Sequence, residues 1–237
     1  MEKVYKTHIW AKRIDAYLSS FPKIRSFSRQ LFIKLKSTNN CRRIKGKFNT
    51  IQVDDSIIKN TSFDICGNNN TITIGSQTII NHLTFYVRGS GHHISIGNNC
   101  RFTRGGTIWV EDRNSSLSIG NNVYIVNADI SITESNSVIT IGDDCMLATN
   151  IDIRNGDSHS IIDLDTGKKI NYAKNIKIDS HVWIGAYVKI LKGVNIGRDS
   201  VVGIGSIVTK NVSSNTVVAG IPAKAIKNNV TWDSERR

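Results

Sequence analysis

The sequence predicts an all-β fold in which short parallel strands are wound into a solenoid. Two repeats support this fold: related segments recur every 21 to 23 residues in the N-terminal part of the body, and aliphatic residues recur every six residues in its C-terminal part. The chain also contains 18 glycines but only two prolines, which favours many tight corners. Repeats of about 20–50 residues are typical of solenoids, in which each coil buries its apolar face against the next.

The first element, residues 1–45, is predicted to be a basic amphipathic helical extension. Apolar residues lie at helical spacing on both sides of Pro22, at Val4, Trp10, Ile14, Tyr17, Leu18, Phe21, Ile24, Phe27, Leu31, Phe32 and Leu35. Thirteen Lys and Arg residues and only two acidic residues lie in residues 1–47. The apolar stripes favour packing on the protein itself or on a neighbouring subunit. The charge favours contact with an anionic membrane surface or a polyanionic polysaccharide.

The long repeat follows this extension. It consists of the segments NTIQV, NTITIG, HHISIG, SSLSIG and SVITIG. Their final aliphatic residues, which keep the spacing, are Val53, Ile74, Ile96, Ile119 and Ile141. Each repeat is predicted to form one coil of the solenoid.

The short repeat defines the shape of a coil. Its aliphatic members are Ile178, Ile184, Ile190, Ile196, Val202 and Val208. A small or β-branched residue follows four positions after each: Val182, Val188, Val194, Ser200, Ser206 and Val212. Because a period of six is neither helical nor that of a strand alone, it indicates a short strand plus a corner. Three such units form a triangular coil, and the longer upstream repeat adds residues to its sides or corners.

One long interruption breaks the six-residue period, at residues 154–175. The segment is polar and contains two glycines. A solenoid accommodates such an insertion as a protruding loop, and loops on rigid scaffolds often carry function. The sequence therefore predicts an active-site loop here, within a β-helix domain of residues 46–227 that is followed by a tail, residues 228–237.

The composition excludes several classes of protein. No apolar run approaches the ~20 residues that cross a bilayer, and the basic N-terminus lacks the apolar core of a secretory signal. The four cysteines form no CxxC pair, which argues against a zinc ribbon or a compact disulfide framework and favours the cytoplasm, with the inner membrane face as an option. No GxGxxG, P-loop or GxSxG motif is present. Nothing in the sequence indicates a nucleic-acid partner.

The C-terminal repeats resemble a known family. The stretch HVWIGAYVKILKGVNIGRDSVVGIGSIVTKNV, followed by VVAGIPAKAIK, is similar to hexapeptide-repeat acyltransferases, in particular the sugar and polysaccharide O-acetyltransferases. The resemblance implies a left-handed parallel β-helix, which is an exception to the usual crossover handedness. It also implies a homotrimer with active sites between subunits, acetyl-CoA as co-substrate and a saccharide as acceptor, without a metal.

The resemblance also implies the site residues. The catalytic residues that the resemblance implies are a histidine, which falls on His159 in NGDSH, and a tryptophan, which falls on Trp183, 24 residues later. The CoA-binding positions fall on Trp183, Ala186, Ile204, Thr209, Lys210, Lys224 and Lys227. The sequence departs from the family pattern at Asp179, where glycine is usual, at Tyr172, where proline is usual, and at Ile204, where a small residue is common.

The chemistry of acetyl transfer agrees with this assignment. A sugar hydroxyl must lose its proton as it attacks a thioester, and an imidazole is a common general base near neutral pH. His159 is the candidate base. Asp157 or Asp163 would orient its ring or shape the loop, and Asn155 is a candidate for orienting the ring or binding substrate.

Three alternative functions place different demands on the sequence. N-acetylation of a nucleotide-linked amino sugar or an antibiotic would use the same fold and co-substrate. A non-catalytic membrane-associated scaffold would use residues 1–45. A zinc carbonic anhydrase needs three histidine ligands, but no histidine follows His181 to join His159 and complete such a set.

Overall fold

The computed structural model describes residues 30, 33 and 35–235 of the 237-residue chain. Their strands form three sheets, parallel except for one antiparallel pair at the C-terminal end, and these sheets are the three sides of a solenoid. Each coil contributes one strand to each sheet in turn, so that strands next to one another in a sheet are about one coil apart in sequence. The three-sided coil predicted from the six-residue repeat is thereby confirmed.

We label the sides sheets A, B and C, in the order in which the chain visits them. Sheet A contains β1 Cys41–Lys45, β4 Ser62–Cys66, β7 Leu83–Arg88, β10 Gly106–Val110, β13 Ala128–Ile132, β16 Ile151–Arg154, β19 Lys189–Ile190 and β22 Ile207–Val208. Sheet B contains β2 Thr50–Val53, β5 Thr71–Ile74, β8 His93–Ile96, β11 Ser116–Ile119, β14 Val138–Ile141, β17 Ile176–Ile178 and β20 Asn195–Ile196. Sheet C contains β3 Ile57–Lys59, β6 Ile79–Asn81, β9 Arg101–Phe102, β12 Tyr124–Ile125, β15 Met146–Leu147, β18 Trp183–Ile184, β21 Val201–Val202, β23 Thr216–Gly220 and β24 Ala223–Asn228.

The core is a continuous stack of inward-facing aliphatic residues. Every aliphatic member of the six-residue repeat is buried, and so are the small or β-branched residues that follow it. In the wider N-terminal coils, larger side chains fill the interior, and Phe63 stacks on Phe85 with ring centroids 4.8 Å apart. Because each strand is buried on one face only, inward and outward residues alternate along it. This alternation produces the regular spacing of aliphatic residues that is seen in the sequence.

Polar residues stack along one edge of the coils and hold successive coils together. The side-chain oxygen of Asn49 accepts a hydrogen bond from the backbone N–H of Asn70, and Asn70 does the same for His92. His92 continues the series, because its Nδ1 accepts from the N–H of Ser115 at 3.2 Å. These groups satisfy backbone donors that the short strands leave unpaired at the corner.

The first coil begins earlier than predicted. β1 starts at Cys41 and pairs in parallel with β4, so it lies inside the range 1–45 that the sequence assigned to the helical extension. All five residues of β1 are exposed, because β1 is the first strand of its sheet, and the apolar pattern of a buried strand is therefore absent. The predicted helices fall mainly on residues outside the described range, although residues 30, 33, 35 and 36 are helical. No helix among the described residues is long and apolar enough to cross a membrane.

Candidate active site

The predicted loop projects from the solenoid between β16 and β17, where sheets A and B meet; we call this edge the A–B corner. Its outer part is a hairpin closed by an antiparallel bridge between Ile162 and Lys169. At its tip, Asp163 accepts hydrogen bonds from the N–H and the hydroxyl of Thr166, both at 2.7 Å. These bonds lower the pKa of Asp163. Asp163 therefore shapes the hairpin turn, and among the described residues its carboxylate makes no hydrogen bond or ion pair with His159.

His159 lies in the first half of this loop with an exposed side chain. Its backbone is held by Asn171, whose Nδ2 donates to the carbonyl oxygen of His159 at 2.8 Å. The same amide group donates to the carboxylate of Asp157 at 2.8 Å, and its oxygen accepts from the N–H of Ile161 at 2.7 Å. Asn171 is buried. One buried amide thus holds the backbone of His159 and Ile161 and the side chain of Asp157, while the His159 side chain is exposed.

The coil that follows the loop supports it from one side. Lys192 Nζ donates to the Asp157 carboxylate and to the carbonyl oxygen of Asn171, the latter at 3.0 Å. The hydrogen bond from Lys192, followed by that from Asn171, lowers the pKa of Asp157 below its usual value. Asp157 is therefore held as a carboxylate that anchors the loop.

The coil that precedes the loop supports it from the other side. The Glu134 carboxylate accepts hydrogen bonds from Lys169 Nζ and from the backbone N–H of Ala173, the latter at 3.0 Å. Burial by itself raises the pKa of Glu134, but the hydrogen bond from Lys169 and the N–H of Ala173 outweigh it and lower the pKa. The loop is thus clamped between Glu134 and Lys192.

Asn155 marks the point where the loop leaves the solenoid. Its side chain is fully buried, its oxygen accepts from the N–H of Thr133 at 2.8 Å, and its Nδ2 donates to the carbonyl oxygen of Thr133 at 3.3 Å. Both polar atoms of the side chain are therefore occupied by the preceding coil. In this structure Asn155 braces the base of the loop.

Trp183 lies elsewhere, on the outer face of sheet C. It is 41% exposed and is flanked in register by Met146 and Val201 of the neighbouring coils. Close to it is Trp232 of the C-terminal tail, with ring centroids 6.1 Å apart. The two indoles and the strands beneath them form an aromatic surface on sheet C.

The predicted CoA-binding residues fall into three groups. Ala186 and Ile204 occupy successive coils at the edge where sheets C and A meet, which we call the C–A corner. Thr209 and Lys210 follow β22 at the A–B corner. The remaining two, Lys224 and Lys227, are exposed on β24, which pairs antiparallel with β23. Ile204 is 72% exposed, so its larger side chain projects outward at this corner.

Within one chain, the two halves of the predicted site do not meet. His159 projects from the A–B corner, whereas Trp183 lies on sheet C, and the described residues show no hydrogen bond or ring contact between them. The described residues also contain no group of three or more His, Cys, Asp or Glu side chains arranged to hold a metal ion. A single chain therefore carries a clamped histidine loop at the A–B corner and, separately, an aromatic surface on sheet C.

These features define a class of protein: a hexapeptide-repeat β-helix with one clamped, histidine-bearing loop. Comparison with known proteins narrows the class. No protein-family model matches the chain. The chain is similar to the polysialic acid O-acetyltransferase of Escherichia coli O1:K1 / APEC, with 40% identity over 123 residues, which are 52% of this chain and 40% of that protein. It is also similar to the polysialic acid O-acetyltransferase of Neisseria meningitidis, with 36% identity over 147 residues, or 54% of this chain and 68% of that protein.

A solved structure is similar to this chain over a larger share of its length. The polysialic acid O-acetyltransferase OatWY superimposes with a TM-score of 0.77 and 34% identity, covering 83% of this chain and 92% of that one. The chain therefore belongs to the hexapeptide-repeat family of left-handed β-helix acetyltransferases. The fold and the family predicted from the sequence are both confirmed.

The sequence analysis does not identify four residues at the site. Glu134, Asn171 and Lys192 clamp the loop, and Trp232 lies in the predicted C-terminal tail. Glu134 and Lys192 lie in neighbouring coils, so their proximity to the loop depends on the stacking of coils. A sequence signal existed only for Trp232, since a tryptophan is an uncommon residue in a solvent-exposed tail.

Proposed function

We propose that the protein transfers the acetyl group of acetyl-CoA to a hydroxyl of a saccharide. The single observation that carries this proposal is the geometry of His159, whose backbone is fixed by buried Asn171 while its imidazole faces solvent on the clamped loop. The family of the chain and the names of its relatives support the same reaction.

In the proposed mechanism, the acceptor hydroxyl attacks the thioester carbonyl carbon while His159 removes the hydroxyl proton. The tetrahedral intermediate then collapses, the carbon–sulfur bond breaks, and the CoA thiolate leaves with the proton returned by the imidazolium. The products are an acetyl ester and the free thiol of CoA. No covalent acetyl-enzyme forms, so the reaction requires both substrates to be bound at once. The fixed loop contributes by holding the base in an orientation that favours this encounter.

We propose further that the active site is shared between copies in a homotrimer. His159 and the pair Thr209 and Lys210 lie at the A–B corner, whereas Ala186 and Ile204 lie at the C–A corner. A groove between the A–B corner of one copy and the C–A corner of the next would bring both groups to one CoA molecule. Each interface is then head-to-tail, and such interfaces close into rings.

This arrangement directs sheet A towards the three-fold axis, because sheet A lies between the two corners that meet neighbours. Its outer face carries an aromatic pair in the wide coils, where Tyr86 and Trp109 stack with centroids 4.0 Å apart. Arg88 covers the Tyr86 ring at 3.6 Å and pairs with Asp64 at 3.1 Å. A face that combines aromatic rings with paired charges has the composition of a subunit interface.

For the acceptor, we propose a surface polysaccharide or its precursor. The relatives described above are named for polysialic acid, and the outer face of sheet C offers the aromatic surface of Trp183 and Trp232 to a sugar ring. We also predict that the protein acts in the cytoplasm. A further prediction is that residues 1–45 bind an anionic surface.

The test is acetyl transfer measured as thiol release from acetyl-CoA, with a panel of acceptors that includes polysialic acid, neutral sugars and amino sugars. We expect turnover with a hydroxyl acceptor and a loss of about 10²-fold in kcat for His159→Ala, with the acetyl-CoA KM unchanged. His93 is an exposed histidine of sheet B, and His93→Ala serves as the matched control that should retain full activity. Turnover only with amino sugars would instead assign N-acetylation, and near-normal turnover by His159→Ala would overturn the mechanism.

A further inference from the structure

The C-terminal tail is docked on the solenoid by a set of specific contacts. Trp232 Nε1 donates to the carbonyl oxygen of His181 at 2.8 Å, and the indole stacks on the His181 imidazole with centroids 4.5 Å apart and planes 10° apart. Val230 exchanges hydrogen bonds with Asn215, its N–H donating at 3.0 Å and its carbonyl oxygen accepting at 3.2 Å. The tail therefore has a defined path along the body.

The platform beneath Trp232 is itself braced. His181 Nδ1 and the carboxylate of Asp199, in the next coil, are 2.6 Å apart. This hydrogen bond fixes the imidazole plane, and the Thr231 hydroxyl lies 3.4 Å from the same carboxylate oxygen. His181 has a backbone φ of 57°, and Asp199, the equivalent residue in the next coil, has a φ of 61°. The two coils therefore turn with the same backbone conformation at this corner. A ring held in this way can position the indole above it.

Trp232 lies on the side of the aromatic surface that is nearer to sheet B. His181, on which it stacks, lies just before β18, at the edge where sheets B and C meet, whereas Ala186 and Ile204 lie beyond β18, at the C–A corner. The Trp183 indole lies between these two edges, 6.1 Å from the Trp232 ring. A CoA arm that follows the C–A corner would pass on one side of Trp183, and Trp232 would face the other side.

From this placement we propose that Trp232 is a specificity-determining residue that forms a wall of the acceptor subsite. The inference rests on the proposed function, and it names the part of the site that the saccharide occupies. The Trp183 indole is partly exposed and the Trp232 indole adjoins it at a tilt of 46°, so the pair presents an aromatic surface on which the apolar face of a sugar ring can pack. The rings contribute contact area at low cost in side-chain entropy, because an indole has only two rotatable side-chain bonds.

The acceptor is favoured over CoA for a second reason. The cationic residues that would meet the CoA phosphates, Lys210, Lys224 and Lys227, follow β22 or lie on β24. Among the described residues, the hydrogen-bond and ring contacts of Trp232 are with His181 and Trp183, neither of which is a Lys or Arg. The Asp199 carboxylate, paired with His181, borders this surface and would repel a phosphate, so the surface suits the apolar face of a sugar ring better than a polyphosphate.

The experiment compares Trp232→Ala, Trp232→Phe and Glu235→Ala, the last being an exposed residue of the same tail. Steady-state KM and kcat are measured for acetyl-CoA and for polysialic acid, or for whichever saccharide of the panel the wild type acetylates. We expect Trp232→Ala to raise the acceptor KM about tenfold, equivalent to roughly 1.4 kcal/mol, with the acetyl-CoA KM within about twofold of wild type. Trp232→Phe, which keeps a stacking ring, should recover most of the acceptor affinity, and Glu235→Ala should behave as wild type.

Several outcomes would overturn the inference. An unchanged acceptor KM in Trp232→Ala would show that the tail is only packed against the body. A rise in the acetyl-CoA KM alone would assign the indole to the CoA side, and a loss of folding or assembly in Trp232→Phe would make its role structural. These failures differ from failure of the proposed function, in which the wild type itself acetylates none of the saccharides.

Discussion

The amino group of Lys192 donates a hydrogen bond to the carboxylate of Asp157, a residue that precedes it by 35 positions. The contact joins the loop that carries His159 to the coil after it, and the same amino group also reaches the carbonyl oxygen of Asn171 at 3.0 Å. The side chain of Lys192 is 25% exposed and that of Asp157 is 45% exposed, so the pair lies at the surface with its amino group largely covered. It connects the scaffold with the loop that carries the proposed base.

The first prediction follows from that bond. Lys192→Met keeps much of the side-chain volume but removes the donor, so the loop loses its support on one side. We expect kcat to fall about tenfold while the acetyl-CoA KM stays within about twofold, because the base is displaced but the CoA groove is intact. Lys189→Met, at the start of β19 and three residues before Lys192, is the control and should retain activity. Equal activity of the two variants would show that the clamp does not position His159.

A second prediction tests the shared site. His159→Ala and Trp183→Ala, each weakly active alone, should restore activity when their subunits are mixed and reassembled. Random mixing in equal amounts places an intact histidine loop against an intact tryptophan face at roughly a quarter of the interfaces of a three-membered ring. Recovery of about that fraction of wild-type turnover is expected, with a trimer measured by sedimentation. Absence of complementation in verified mixed trimers would place both residues in one chain's site.

A third prediction concerns the co-substrate. Lys210→Ala and Lys224→Ala should each raise the acetyl-CoA KM several-fold more than the acceptor KM, because each would lose a charge contact to a CoA phosphate. The effect should weaken at high salt, since exposed charges are screened within ~10 Å at 0.1 M ionic strength. Lys47→Ala, an exposed lysine at the opposite end of the solenoid, is the control. If all three variants show the same acetyl-CoA KM, Lys210 and Lys224 merely face solvent.

The fourth prediction concerns pH and His92. Burial lowers the pKa of His92 below 6.5, its Nδ1 accepts from Ser115, and its Nε2 has no hydrogen-bond partner. Because the folded state disfavours the protonated ring, the unfolded chain binds more protons below about pH 6.5, and the free energy of unfolding falls as the pH drops through that range.

His92→Asn is the variant that checks this pH dependence. It keeps an acceptor for the Ser115 N–H, as the asparagines of the preceding coils do, and it has no titrating group. Denaturant unfolding between pH 5 and pH 8 should show a shallower decrease in stability towards acid than the wild type. His93→Asn, at the exposed neighbouring position, should keep the wild-type slope. Parallel curves for His92→Asn and wild type would contradict the assignment.

The fifth prediction concerns backbone strain at the C–A corner. Tyr187 has a backbone φ of 61°, a conformation that is unfavourable for a bulky residue, whereas the stacked positions in the coils before and after it are Asn150 and Gly205. Tyr187→Gly should relieve this strain and stabilise the fold by about 1 kcal/mol. Since the exposed ring lies next to Ala186 on the proposed CoA path, the same change should raise the acetyl-CoA KM.

The control for Tyr187 lies at the same corner, one coil further. Gly205→Ala introduces a Cβ at a φ of 69° where no atom lies within 4 Å, so only the backbone conformation is penalised. Its melting temperature should fall, while that of Tyr187→Gly should rise. A lower melting temperature for Tyr187→Gly would show that packing of the tyrosine ring outweighs the strain.

Much of this protein could be predicted from local sequence because a solenoid is built from local repeats. The spacing of Ile178, Ile184 and Ile190 predicted the coil, since each inward residue sits in an equivalent environment. The long gap after Ile153 predicted a loop, since the six-residue period stops there and resumes with the next coil. The limits of the first coil could not be predicted, because β1 is exposed and carries no apolar pattern.

The sequence by itself determined the coil, the insertion and the family, because the inward positions and the motif around His159 are each encoded in contiguous residues. Only the tertiary structure decided how the loop is held and what surrounds Trp183. The clamp of Glu134 and Lys192, and the docking of Trp232 on His181, join residues separated by up to 51 positions. Such contacts depend on which coils are stacked and on where the chain end returns, and hydrogen bonds between polar residues outside the repeat leave no periodic trace in the sequence.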